Sequence, residues 1–230
     1  ARRTIGFENL CMIFRQSHCT LLFCILSLLT LSSNSSAQSN EHIGFRGGIA
    51  LANLIGDGPT QNGGIRTGLH LGGYGTTRLS QTTALQTGLY FIQKGNVYES
   101  GDGIFDDETN LRLQYLQVPI LLRVGNPNPY DGGFYFLVGP YASFLANQAF
   151  VENGQKIEDT RDFYKNFDAG FMAAAGLDFG SDVFLELRYE RGLLNILDED
   201  QSRSFFNFNP GEDYQHYTQS FSITLGFMLR

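Results

Sequence analysis

The chain has 230 residues, a formal net charge of -7, 27 glycines, 20 phenylalanines, 11 tyrosines and no tryptophan. A mean hydropathy of -0.14, with no apolar run long enough to cross a bilayer as a helix, excludes a helical membrane protein. The acidic balance argues against nucleic-acid binding. Abundant glycine disfavours long helices and abundant aromatics favour strands, so the composition leans all-β.

The chain opens on Ala1 and its first methionine is Met12, so residues 1–11 read as an upstream extension. Residues 12–37 read as an export signal. Arg15 supplies the positive start, Leu21–Leu31 the apolar core, and Ser35-Ser36-Ala37 the small residues before cleavage at Gln38. The core is too short for a membrane anchor, and Phe23 before Cys24 is wrong for a lipid-attachment site. Removing this segment would take away Cys11, Cys19 and Cys24, all the cysteines of the chain. Residues 38–230 are then the folded domain.

Eight runs of period-two patterning follow, the mark of half-buried strands. His42–Asn53 sets Ile43, Phe45, Ile49 and Leu51 against Arg46, and Ile65–Leu79 sets Leu69 and Leu71 against Arg66, His70 and Tyr74. Thr82–Lys94 opposes Leu85, Leu89 and Phe91 to Gln86 and Tyr90; Leu116–Val124 opposes five aliphatics to Gln117, Pro119 and Arg123. Phe134–Asn147 alternates Phe134, Phe136 and Val138 with Tyr135, Gly139 and Tyr141, and Phe167–Phe179 alternates Phe171 and Leu177 with Asp168, Gly170 and Asp178. Val183–Asn195 places Leu185, Leu187 and Tyr189 opposite Glu186, Arg188 and Glu190. The last run, from His216, is the cleanest: Phe221, Ile223, Leu225 and Phe227 against Thr218, Ser220, Ser222 and Thr224.

Alternation alone does not say which face meets solvent. Two features decide it. The polar faces mix small residues with charges of both signs, which suits a filled lumen, and only Lys94 supplies a lysine. The connections run long, short, long, short, long, short, long, as in a barrel with short periplasmic turns and long external loops. The expectation is an all-β, eight-stranded, antiparallel up-and-down transmembrane β-barrel. Pro119 and Pro140 cannot donate to a ladder and land within a residue or so of each other on neighbouring strands, which predicts one shared defect there, a bulge. Leu111, Leu113 and Tyr115 are out of phase with Leu116 onward, which fits a bulge near Tyr115 or packing of a loop above the membrane.

Tyr115-Leu116-Gln117-Val118-Pro119-Ile120, Gly139-Pro140-Tyr141 and Glu186-Leu187-Arg188-Tyr189 followed by Gly192 resemble the PorT-like small outer-membrane β-barrel family, common in Bacteroidetes. The resemblance covers nearly all of residues 38–230, and Arg230 departs from it where an aromatic often ends the chain. It implies an outer-membrane location, export by a signal peptide and, for the family's namesake, a tie to secretion and gliding.

Candidate sites are few. Arg46, Arg66, Arg123, Asp168, Asp178, Glu186, Arg188 and Glu190 all point to the expected lumen. An eight-stranded interior is only wide enough for side chains, so they read as a paired network filling it rather than as a solute path. Truncating Arg188 is expected to destabilise such a barrel. Asp102, Asp106, Asp107 and Glu108 form a weak divalent-cation candidate, but their spacing is not that of an EF-hand loop. No catalytic triad, phosphate loop or zinc cluster is indicated, and no cofactor is expected. The favoured reading is a non-enzymatic, monomeric barrel in contact with outer-membrane lipid, acting through its external loops or with envelope or secretion-system proteins, and binding no nucleic acid. A soluble lipocalin-like barrel is the alternative, requiring Phe221, Ile223, Leu225 and Phe227 to line a cavity. A membrane-embedded lipid-modifying enzyme is a second alternative.

Overall fold

A computed structural model describes residues 41–56, 63–98, 109–125, 132–152, 155–156, 163–198 and 214–229. The expected upstream extension and signal peptide lie outside these residues, as does the acidic run Asp102, Asp106, Asp107 and Glu108.

The strands in chain order are β1 (Glu41–Gly56), β2 (Arg66–Arg78), β3 (Thr83–Tyr98), β4 (Thr109–Gly125), β5 (Gly133–Glu152), β6 (Gln155–Lys156), β7 (Phe167–Asp178), β8 (Val183–Gly192) and β9 (His216–Leu229). Each of β1 to β5 pairs antiparallel with the next, β5 pairs with β7, β7 with β8 and β8 with β9. β9 returns to β1, from Ile43↔Leu229 to Gly56↔His216, and closes a ring of eight. The two-residue β6 only extends the end of β5. Closure leaves no strand edge, the one way a sheet can satisfy its backbone inside lipid.

The short connections sit together at one end. In the turn between β2 and β3, Leu79 N and Ser80 N donate to Thr83 O, and the Ser80 hydroxyl accepts from Thr82 N and Thr83 N at 3.2 Å. Between β7 and β8, Phe179 N donates to Val183 O. The strand ends that lead into the long connections all lie at the opposite end, hereafter the long-loop end.

The apolar face points outward. Phe221, Ile223, Leu225 and Phe227 are exposed, with Leu225 at 57% of its full accessibility, while Thr218, Ser220, Ser222 and Thr224 between them are buried. The same inversion holds on every strand of the ring. Burying this wall requires a medium other than water, because a soluble monomer does not expose a continuous apolar surface of this extent. It also removes the lipocalin alternative, whose cavity needed those four β9 side chains inside. On β9 the outward apolar run from Leu229 ends at Gln219. Ten residues at ~3.3 Å each, tilted by ~40°, span about 25 Å, the height of an outer-membrane hydrophobic band.

The prolines disturb the wall in a different way from the expected bulge. The β4–β5 ladder runs to Pro119↔Tyr141 and resumes at Leu122↔Val138; the β3–β4 ladder runs from Thr87↔Ile120 to Tyr90↔Gln117 with the pairs between missing. Register is unchanged across both gaps, so no residue is inserted. The missing proline N–H groups interrupt pairing, and the Thr87 hydroxyl donates to the Pro119 carbonyl at 2.8 Å in partial compensation. Gly139 lets the strands stay close, since a Cβ there would run into the Ile120 carbonyl. The true bulge lies higher, where Gln114 pairs Asn147 and Tyr115 pairs Leu145. The extra residue is Ala146 on β5, whereas burial alternates without a break along β4. Leu111, Leu113 and Tyr115 are therefore inward-facing members of β4, in phase with Gln117 and Pro119.

Candidate functional site: the barrel interior

Eight strands bring their inward side chains within bonding distance of one another across the lumen. Nearest the short turns, β4 and β7 present Arg123 and Asp178, which form an ion pair, and the Arg123 guanidinium lies 3.6 Å from the Tyr135 ring centroid. One level higher, Glu186 on β8 is the hub. It pairs with Arg46 from β1 and, at 2.7 Å, with Arg188 on its own strand. Its second oxygen accepts the Tyr135 hydroxyl at 3.0 Å. Arg46 is sandwiched by the rings of Tyr74, Tyr90 and Phe184, its guanidinium carbon 4.5 to 5.4 Å from their centroids. Such cation–π cover lets a guanidinium be buried with less loss of solvation. Glycine makes the room: a Cβ on Gly226 would occupy the Phe184 ring, and one on Gly176 the Tyr135 ring.

The middle level is built around Glu190. Lys94 of β3 reaches it across the lumen at 3.1 Å, and Gln117 of β4 donates to the same oxygen at 3.0 Å. Asp168 on β7 accepts the Thr218 hydroxyl at 2.8 Å and the Tyr141 hydroxyl at 3.4 Å, and Lys94 Nζ lies 3.4 Å from Tyr141 Oη. Gly192 leaves space for this cluster, because a Cβ would sit 2.7 Å from Thr218 Oγ1 and 3.0 Å from Asp168 Oδ1. His70 is fully buried and meets Tyr90 edge-on at 5.5 Å between ring centroids.

Above this polar section the interior becomes apolar. Leu54, Ile92, Tyr98, Leu111, Leu113, Tyr115, Phe150, Phe163, Tyr164, Ile196 and Leu197 form one buried cluster. Two segments between strands are drawn into it by backbone bonds, Asp198 N to Phe163 O at 2.9 Å and Lys165 N to Ile196 O at 2.7 Å. The Asn195 side chain pins the second of them, accepting from Leu197 N and His216 N and donating to Tyr214 O. The lumen is thus filled with paired charge over its three lower levels and stoppered by hydrocarbon toward the long-loop end.

Seven of the eight charges singled out from sequence fall within the polar section: Arg46, Arg123, Asp168, Asp178, Glu186, Arg188 and Glu190. Arg66 stands apart, donating to the Lys94 carbonyl at 3.3 Å. Lys94, the partner of Glu190, was not among the candidates. Its strand continues to Tyr98, four residues past the expected end, so a side chain that looked peripheral is central. Of the family-motif residues, Tyr115 and Pro119 face in, Leu116 and Tyr189 face out, Gly139 and Pro140 line the ladder gap, Arg188 joins Glu186, and Gly192 makes room for Asp168 and Thr218.

A closed antiparallel ring with a lipid-height apolar wall and a charge-paired interior defines a small transmembrane β-barrel. The chain belongs to the outer membrane protein beta-barrel domain family, which it matches over residues 34–198. It is similar to solved structures of Ail, the attachment invasion locus protein of Yersinia pestis, with 13% identity over 82% of this chain and 99% of that one and a TM-score of 0.43. Neisserial surface protein A is 11% identical over 82% of this chain and 97% of its own, TM-score 0.48. The outer membrane protein OprG from Pseudomonas aeruginosa is 12% identical over 82% and 96%, TM-score 0.42. No curated protein sequence matches the chain.

Proposed function

We propose that this chain is a non-enzymatic, monomeric outer-membrane barrel of the PorT-like Bacteroidetes type, exported by the signal of residues 12–37. It acts through its long loops, or as a component of an envelope or secretion-associated complex, and uses no cofactor. The observation that carries the reading is the filled lumen. Salt bridges and aromatic rings occupy its lower levels and the Leu111–Leu113–Phe163–Leu197 cluster stoppers it, which favours a barrel that works without solute transport or a luminal active site. Interaction capacity is left to the loops beyond the stopper and to the outer wall. The motif around Pro119 and Gly139-Pro140 supports the PorT-like assignment, because those residues act together at one place in the wall.

The test is to shorten the two acidic loops, 99–108 and 199–213, to tight turns and express the variant in place of the parent chain. The variant is expected to keep heat-modifiable migration in detergent gels while losing the envelope or secretion phenotype of a deletion strain. Full complementation by the loop-shortened barrel would reject the proposal, as would turnover of membrane lipid by the purified parent chain in micelles.

A further inference from the structure

Three side chains of the middle level meet at one atom. Glu190 Oε2 accepts from Lys94 Nζ at 3.1 Å and from Gln117 Nε2 at 3.0 Å, with the Ser220 hydroxyl farther off at 3.4 Å. Lys94, Gln117 and Glu190 are all fully buried. The register pairs Lys94 with Leu113 and Gln117 with Tyr90, so the lysine stem runs down the lumen and brings its amine to the level of the amide. The Tyr141 and Tyr115 rings flank that amine, their centroids 4.6 and 5.9 Å from Nζ. Its remaining contacts are longer, 3.4 Å to Tyr141 Oη and 3.5 Å to Thr218 Oγ1.

An amine, a carboxamide and a carboxyl group on one oxygen are the two reactants and the proton carrier of an aminolysis. Gln117 Oε1 and Glu190 Oε1 have no hydrogen-bond partner among the described residues. The amide is therefore held through its nitrogen, the atom that leaves in such a reaction. The apolar stopper lies above the three groups and the ion pairs of Glu186 and Asp178 lie below, which keeps bulk water from competing for the amide carbon. Cys11, Cys19 and Cys24 all precede the strands of the barrel, so a covalent tie between those strands has to be made from other side chains.

We propose that Lys94 and Gln117 join in an isopeptide bond, formed once by the folded barrel itself with Glu190 as proton carrier. A proton passes from the Lys94 ammonium to Glu190 and leaves a neutral amine. Nζ then attacks Gln117 Cδ, and the new C–N bond forms while the Cδ–Nε2 bond breaks through a tetrahedral intermediate. Glu190 gives its proton to Nε2 and takes one from Nζ. One ammonia is released, Glu190 ends as the neutral acid, and nothing is oxidised or reduced. Holding both reactants on one oxygen supplies the proximity that a slow amide exchange needs. The product replaces a buried ion pair by a neutral amide and a neutral acid, which lowers the cost of desolvation. Asp168 keeps the hydroxyls of Thr218 and Tyr141. The bond ties β3 to β4 beneath the connection 99–108, and it does not depend on what that loop does.

The full chain is purified folded in micelles, and its intact mass is measured after denaturation. The parent chain is expected to be lighter than its sequence by one ammonia, and proteolysis should release a branched peptide joining Lys94 to Gln117. Locating the branch by tandem mass spectrometry separates it from cyclisation of an N-terminal glutamine such as Gln38, which loses the same mass. Chain recovered unfolded in urea should carry the unlinked mass and lose ammonia only after folding into micelles. Lys94→Arg, which keeps a cation opposite Glu190, should stay unlinked, as should Gln117→Met and Glu190→Gln. Heat-modifiable migration confirms that each variant is folded. Where a variant does not fold, the parent's branched peptide and its appearance on folding still decide. A folded parent chain without the branched peptide, a link already present in the unfolded chain, or one that forms in E190Q would overturn the proposal.

Discussion

Glu186 carries the largest electrostatic burden of any side chain in the lumen. It faces Arg46, Arg188 and the Tyr135 hydroxyl with no exposure to solvent. Removing one member of a buried pair costs more than the pair contributes, because the partner is left charged and dry. Glu186→Gln strands two guanidiniums and is expected to destabilise the barrel by about 3–5 kcal/mol. Arg188→Ala removes one of two cations from a carboxylate that keeps Arg46, so its cost should be clearly smaller. The sequence alone suggested that Arg188 would be the sensitive position; the shared carboxylate moves that sensitivity to Glu186. Urea midpoints of the heat-modifiable band in micelles check the order, and equal midpoints for E186Q and the parent chain would exclude the network as a source of stability.

At the scale of the strands, the informative place is the stretch of β4 from Val118 to Leu121. It lacks ladder pairs to β3 on one side and to β5 on the other, at the depth where lipid offers no substitute partner. Amide protons of Val118, Ile120 and Leu121 are expected to exchange faster in micelles than those of 114–117 and 122–124, measured by hydrogen-exchange mass spectrometry with overlapping fragments. Uniform protection along β4 would contradict the gap. The position of this defect was legible from Pro119 and Pro140, because proline's missing donor is a property of the residue. Its form was not: a gap and a bulge both answer a missing N–H, and only register separates them. A bulge near Tyr115 was one reading of the sequence and is present, but its extra residue, Ala146, lies on the partner strand β5, where neither a glycine nor a proline marks it. The strand faces were read from period-two patterning, which survives in every element. The ends were not, because above the lipid band the inward face changes from polar to apolar. Leu111, Leu113, Phe150 and the continuation of β3 past Lys94 carry the pattern of the opposite face while keeping the same direction.

For the whole molecule, closure and filling act together. The ring removes every strand edge, the outer wall matches the height of a bilayer's hydrocarbon, and the space inside is shared between ion pairs, rings and an apolar stopper. Charge of both signs in the lumen would suit a solute path if the charges were apart, but Arg46–Glu186–Arg188, Arg123–Asp178 and Lys94–Glu190 meet in pairs. An interior of eight strands has no room for a second column of water beside them. Planar-bilayer recording with the purified full chain tests this most directly. The filled lumen predicts a membrane that stays silent after insertion verified by protease protection; stable, large conductance steps from the inserted barrel would contradict it.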